Sequence, residues 1–426
     1  MEKAFMPLGI LDNANQKENH VNHQGELFSE NERQRIRDKA VVARDLLLKN
    51  IRKFEICPTP LLIAGDVYEG IWLEHNQDNL FLADYDPEAA WASQQVFMDH
   101  QREDGLLPFM FPLRTSEGGF FDKPALYWHV QCIYPFARCA FELALRLGKE
   151  EETFAQIYNA AARYDEWLVK HRSRGGSGLV EMYCEWDTGH DGDPRVMDDG
   201  IPHGCPDSDA AKMPDLPCMP VLSVDLSAML YGGRVALAEL AGKLGKSAEE
   251  ARWREKAAEL RGRIRELLHD PQDDYYYDRD AFGFRRYRSE HVTRLFLNQV
   301  LEQEEFDRVY TRYFTTETEF WTAYPFPSMS VSDSHFVKGC PKNCWGACTQ
   351  ALTTLRALLW MEHYGRRKEL RELMRRWLEA FIKYENEFTQ EINPFTGAPI
   401  GIGVNYSPSL IIFLRAAEML GITAKK

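Results

Sequence analysis

Three times along this 426-residue chain a stretch that is apolar nearly all round is followed by one with a charged face. Residues 125–145 (ALYWHVQCIYPFARCAFELAL) precede 150–172 (EEETFAQIYNAAARYDEWLVKHR). Residues 221–240 (VLSVDLSAMLYGGRVALAEL) precede 247–267 (SAEEARWREKAAELRGRIREL), and 344–361 (CWGACTQALTTLRALLWM) precede 366–383 (RRKELRELMRRWLEAFIK). A helix without a polar face has to be buried on every side, and one with a single apolar stripe is suited to cover it. An inner ring of buried helices inside an outer ring of amphipathic ones meets both demands. The pattern therefore predicts an all-α fold, an α/α toroid, although the repeats alone do not count six pairs.

Local signals place the helices. Ser29 and Glu32 form a capping box for a helix to about Phe54. Asp86-Pro87 is an N-cap and first-turn pair for a helix through Gln101. Further helices are expected at 124–147, 150–171, 221–243, 247–269, 288–301, 303–314, 343–364, 367–388 and 408–420, with a short one near 70–83. Gly148, Gly245 and Gly365 punctuate the joins, and Ser247 is expected to cap its helix with Glu250 at N3. Residues 1–28 are polar and irregular and read as an extension packed on the body. Residues 29–426 read as one barrel domain.

Composition narrows the partners. The hydrophobic fraction of 44% supplies a sizeable core. A net charge of −14 argues against nucleic acid or an anionic membrane surface. No apolar run is long enough to span a bilayer, and MEKAFMPLGILDNANQ lacks the apolar segment of a signal peptide, so a cytoplasmic location is expected. Nine cysteines without an export signal read as free thiols. Cys340, Cys344 and Cys348 would share one face of a helix and read as structural. Cys205 and Cys218, in a loop with His190 and His203, also read as structural, with zinc as the alternative. No motif implies a cofactor.

Chemistry concentrates in CEWDTGHDGDPR, residues 184–195. Glu185, Asp187, Asp191, Asp193 and Arg195 sit within eleven positions, Gly189 and Gly192 break any helix, and Trp186 and Tyr183 stand beside them. Carboxylates next to aromatic rings suit glycoside hydrolysis, which needs acid and base groups and flat apolar faces for sugars. A solvated acidic turn or a calcium loop is the alternative. Other loops that precede inner helices share this character: GLLPFMFP (105–112), FWTAYPFPSMSVSDSHF (320–336) and FTQEINPFTGAPIGIGVNYSP (388–408). In a toroid such loops meet at one mouth. The long Asp- and Pro-rich loop 196–220 is a candidate pocket wall.

These segments resemble the inverting glycoside hydrolases with an (α/α)6 barrel: trehalase, processing α-glucosidase, and, most similar in style, the bacterial mannosylglycerate and glucosylglycerate hydrolases. DPEAAWASQQVFMDHQREDGLLP (86–108) is similar to the family's D-P-E-x-A … Q-x-x-D-G-x-x-P. DTGHDGDPR (187–195) resembles E-S-G-x-D-x-S-P-R. SVDLSAMLY (223–231) resembles V-D-L-N-x-x-L-Y, YPFPSMSVSD (324–333) resembles Y-G-L-P-S-x-x-x-D, and EINPFTG (391–397) resembles E-x-Y-N-P-x-T-G. The order and spacing match from about residue 70 to 422. The resemblance implies inverting hydrolysis of a small α-linked glucoside or mannoside, with Asp191 as general acid and Glu391 as general base.

The departures from the family pattern fall at the site. Asp187 replaces the family's Glu, Gln77-Asp78 stands for its W-D pair, and its R-G-P-x-W segment survives only as Cys340-Pro341 and then Trp345. The base motif is one residue short, so Gln390 holds the ungapped position and Glu385 and Glu387 compete with Glu391. Asp191 has a turn-bonding alternative. Asp187 either positions a sugar hydroxyl or shapes the loop. Arg195 either forks onto a hydroxyl or carboxylate or pairs with the acidic cluster. Asp78 either holds a hydroxyl or is an exposed helix residue. Trp186, Trp321 and Trp345 are candidates for stacking on sugars, whereas Trp91, Trp167, Trp253 and Trp377 read as packing residues. Rival functions are a sugar epimerase or isomerase using His129, His190, His203 or His291, a phosphorylase, and a carbohydrate-binding protein that has lost its base. Neither the sugar nor the oligomeric state is legible.

Overall fold

The computed structural model describes residues 28–119, 121–401 and 403–423. The extension expected at 1–28 lies outside them except for Phe28, which is buried. Thirteen α-helices occur among the described residues. They are α1 (Glu30–Lys49), α2 (Asp78–Leu82), α3 (Pro87–Asp99), α4 (Phe136–Arg146) and α5 (Glu151–Arg172). After the short α6 (Pro194–Met197) come α7 (Val224–Lys243), α8 (Ser247–Leu268), α9 (Thr293–Leu297) and α10 (Gln303–Val309). The last are α11 (Ala351–His363), α12 (Arg367–Lys383) and α13 (Ser407–Met419).

Burial separates two rings. In α7, 15 of 20 residues are buried, against 5 of 22 in its neighbour α8. Every residue of α2 and of α9 is buried. Each inner helix packs on the next: α2 on α4, α4 on α7, α7 on α9, α9 on α11, α11 on α13, and α13 back on α2. That last contact closes the toroid at six inner helices. The outer helices are α1, α3, α5, α8, α10 and α12; α6 lies in the long loop before α7. No described helix is long and apolar enough to cross a membrane.

Several boundaries differ from expectation, and in one direction. The inner helices expected from 124 and 343 begin at Phe136 and Ala351. An apolar run does not by itself distinguish helix from a buried extended segment. Pro135 also disfavours helix at the residue before it. The helix expected to reach Phe54 stops at Lys49, and 51–54 pairs with 57–62 as an antiparallel hairpin. The capping box at Ser29 and the Asp86-Pro87 start form as read. Ser247 does not cap: the helix starts on it, after Lys246. Cys340, Cys344 and Cys348 lie in the loop before α11 but still cluster as small buried apolar groups. All nine cysteines are free. Short strands tie the loops, among them 349–350 with 391–392 (Gln350 opposite Glu391) and 391–392 with 399–400.

Candidate active site

One end of the toroid holds a cavity of about 540 Å³. Its walls come from the segments that precede α2, α4, α7, α11 and α13. The size suits a small ligand. Asp191, Glu74, His75, His129, Gln131 and Gln390 supply polar groups, and Trp186, Trp345, Trp72 and Trp128 supply rings.

Asp191 reaches this cavity because the loop that carries it is pinned from behind. Asp187 is fully buried and takes a two-pronged ion pair from Arg172, Nη1 to Oδ2 at 2.5 Å and Nη2 to Oδ1 at 2.8 Å. The backbone N–H groups of Val130, Tyr183 and Cys184 also donate to it. Burial alone would raise its pKa, but the Arg172 charge and these donors outweigh it and hold the carboxyl below its ordinary value. Asp187 thus shapes the loop and stands off the cavity. Arg195 is also fully buried, donating to Asp278 (2.5 Å), Asp225 (3.0 Å) and the His190 ring (2.7 Å). It realises the acidic-cluster reading. Glu185 receives the Gly192 N–H at 2.7 Å and binds His203.

Gly189 and Gly192 bracket Asp191 with φ of 70° and 72°, a region that favours glycine. A Cβ on Gly189 would lie 2.3 Å from a Glu74 carboxylate oxygen. Two carboxyls of this loop, Asp191 and Asp193, have pKa values pushed up to about 7, in both cases chiefly by burial. Geometry separates them. Asp193 caps α6 and binds Arg195 and Ser289 away from the cavity, whereas Asp191 lines it. For Asp191 the charges of Glu185 and Glu74 add to the rise, and the Asn343 amide and His203 oppose it.

Glu391 sits one layer behind the wall. It is fully buried, and Gln390, the residue before it, takes the cavity position. Its carboxylate accepts from Asn343 N (2.6 Å), Cys344 N (3.3 Å) and Gln350 Nε2 (2.8 Å). Burial raises its pKa above the ordinary carboxylate value, and these donors limit the rise without cancelling it. Asn343 also donates its side-chain Nδ2 to Asp191 Oδ2 at 2.8 Å, so one residue touches both carboxyls. The competing glutamates lie outside: Glu387 is exposed, and Glu385 is exposed and pairs with Arg35.

Trp345 lines the cavity and stacks on His190, with ring centres 4.6 Å apart. Trp186 lines it beside His129 and His203. Trp321 is elsewhere, under Arg376 and against Phe326. Asp78 is buried, neither exposed nor at the wall; it binds His75 Nδ1 at 3.2 Å and so orients a ring that lines the cavity. Sequence reasoning missed Glu74, His75, Gln131 and Asn343. Glu74 and His75 precede Asp78 by four and three residues, the one signal that pointed near them.

The candidate zinc donors do not converge. His190 lies between Arg195 and Arg294, which with burial hold it well below its ordinary pKa. Cys205 instead meets Cys184, and these two with Asp187 are the one group of clustered metal-type donors among the described residues. Arg172 donates to both Asp187 and Cys205 there, so the guanidinium already supplies the positive charge.

Several solved structures share this architecture. Mannosylglycerate hydrolase from Thermus thermophilus, in complex with Tris, superposes with a TM-score of 0.69 at 19% identity, over 89% of this chain and 100% of that one. Neutral trehalase from Saccharomyces cerevisiae gives 0.60 at 13% identity, over 89% and 81%. A rhamnosidase from Klebsiella oxytoca with rhamnose bound gives 0.57 at 14% identity, over 92% and 64%. No curated protein matches the sequence. The sequence model of the mannosylglycerate hydrolase MGH1-like glycoside hydrolase domain matches residues 79–409, most of the barrel and every segment that builds the cavity except 66–78. The toroid, the carboxylate-bearing cavity and this match agree: the chain is a glycoside hydrolase and belongs to the MGH1-like family.

Proposed function

We propose that this enzyme hydrolyses a small α-linked glucoside or mannoside with inversion, with Asp191 as general acid and Glu391 as general base. In this reading residues 29–426 act as one catalytic barrel. The observation that carries it is an asymmetry of hydrogen-bond donors. Among the described residues one donor, Asn343, reaches the Asp191 carboxyl, while three reach Glu391. Donors stabilise a carboxylate and burial stabilises the neutral acid. Asp191 is thereby suited to hold a proton near neutrality and give it to the leaving oxygen. Glu391, whose donors limit the rise that burial causes, is the better suited of the two to be ionised and take a proton from water. A pair bridged by one residue is compatible with the roughly 6.5–9.5 Å that an inverting mechanism uses. The water approaches past Gln390, whose amide forms the wall. Phosphorolysis is disfavoured, because the carboxylates of Asp66, Glu69 and Glu74 outnumber Arg114 at the wall and would repel a phosphate.

Mannosylglycerate, the substrate in the name of the Thermus thermophilus protein, is the first glycoside to test, followed by methyl α-mannoside and methyl α-glucoside. Proton NMR during turnover is expected to show the β-anomer of the released sugar first. Asp191→Asn is expected to fold normally and lose turnover by about two orders of magnitude or more. An α-anomer as first product, or near-normal rates in the variant, would overturn the reading.

A further inference from the structure

We infer that Asn343 is a positioning residue that couples the acid to the base, and that its side-chain amide fixes the protonation of Asp191. The inference rests on Asp191 being the acid. Asn343 joins the two carboxyls twice. Its backbone N–H donates to Glu391, and its side chain donates to Asp191 Oδ2. The side chain is itself fixed from behind, because its Oδ1 accepts from Gln390 Nε2 at 3.3 Å. Gln390 Nε2 also approaches Gln350 Oε1 at 3.5 Å, and Gln350 donates to Glu391 at 2.8 Å. The result is a ring of neutral amides running from acid to base.

This ring is built from two of the places where the chain departs from the family pattern. The segment before α11 places Pro341 and Trp345 four positions apart, and Asn343 lies between them. The base motif is one residue short, which brings Gln390 into the wall. Asn343 has φ of 53°, a left-handed conformation that asparagine tolerates better than most residues. That conformation lets its backbone N–H and its side chain serve different carboxyls.

The chemical consequence concerns where the acid's proton sits. An amide N–H bonds the unprotonated oxygen of a carboxylic acid. With Asn343 on Oδ2, the proton of Asp191 resides on Oδ1. After the proton leaves, the same amide stabilises the carboxylate. The charged and titratable groups around Asp191 are Glu185 on its own loop, Glu74 and Tyr68 from the segment before α2, and His203. None of these donates a hydrogen bond to its carboxyl among the described residues.

The test reads the ionisation of Asp191 without needing a substrate. The pH dependence of the melting-temperature difference between the protein and its Asp191→Asn variant reports the native ionisation of Asp191. The same pair is then measured in an Asn343→Gly background, where glycine keeps the left-handed backbone and its N–H but removes the amide. The midpoint is expected to rise by about one pH unit, a tenfold change in the ionisation constant. Asn343→Asp, which places a like charge there, is expected to raise it further. A residue with a merely structural role would lower both melting temperatures and leave the midpoint in place, and an unmoved midpoint in both backgrounds overturns the inference. If the midpoint moves while Asp191→Asn still turns over mannosylglycerate, the catalytic reading fails and the coupling stands. If Asp191→Asn is inactive and the midpoint is unmoved, the coupling fails and the catalytic reading stands.

Discussion

The loop that presents Asp191 and the strand that carries Glu391 solve opposite problems with different materials. The Asp191 loop is held mainly by buried charge, Arg172 on Asp187 and Arg195 among Asp193, Asp225 and Asp278, with the exposed His203 ring bonded to Glu185. Among the described residues Asp191 itself is left with one donor, Asn343, and it faces the cavity. The Glu391 strand is held by neutral groups: the amides of Gln350 and Gln390 and the backbone of Asn343 and Cys344. The bonds from Gln350, Asn343 and Cys344 converge on the carboxylate, and Gln390 braces Gln350 and Asn343. A proton donor is made by withholding hydrogen bonds from a partly desolvated carboxyl, and a proton acceptor by supplying them. Putting an arginine against Asp191 would fix the loop equally well and would spoil the acid.

The largest effect expected from breaking this contrast is at Glu391. Glu391→Gln is expected to lower turnover of mannosylglycerate by about two orders of magnitude or more while sugar binding by calorimetry persists. Adding Gln390→Glu to that variant returns a carboxylate to the wall itself and is expected to recover part of the rate. Near-normal turnover in Glu391→Gln would move water activation to another carboxylate. A second break removes the charge behind the acid loop. Arg172→Met leaves Asp187 buried without its cation and is expected to cost about 3–5 kcal/mol in urea unfolding. A loss under about 1 kcal/mol would mean that the backbone donors alone hold Asp187.

The smallest effect concerns stability, and its sign is fixed by linkage. The Asp191 pKa is raised from its ordinary 3.8 to about 7. Between those values the folded protein binds the proton more tightly than the unfolded chain, so this group's stabilisation is present below about pH 4 and is lost as pH rises to about 7. Asp191→Asn carries no such penalty. Its melting temperature is expected to gain on that of the unaltered protein between about pH 5 and pH 8, by a few degrees. A gap that stays constant across that range would show that Asp191 ionises normally in the folded state.

The same contrast explains what was legible in the sequence. Residues 187–195 were readable because their message is chemical: glycines, carboxylates and an aromatic neighbour crowd into one turn. What each carboxyl does was not readable. Asp187, Asp191 and Asp193 lie within seven positions, yet one meets Arg172, one meets the cavity and one meets Arg195. Asp78 was placed by its motif, but its partner His75 is the residue that reaches the wall. Trp321 carried the right chemistry in the right kind of loop and still packs elsewhere.

Sequence alone determined the ring of helices, because burial of all-round apolar helices beneath amphipathic ones follows from side-chain periodicity, a local property. It also determined which loops would matter, since their composition departs from that of plain connections. The tertiary structure alone decided where the inner helices start. Residues 125–135 and 343–350 read as helix by apolarity, but they give up helical bonding to supply Trp128, His129, Gln131 and Trp345 to the cavity and Asn343 to the two carboxyls. It also decided that Glu391 lies behind Gln390: Glu391 opens the short strand that pairs with 349–350, and Gln350 opposite it donates its amide to the Glu391 carboxylate. Those choices depend on partners far away in sequence, 41 residues for Gln350 and Glu391 and 152 for Asn343 and Asp191, and no local pattern encodes them.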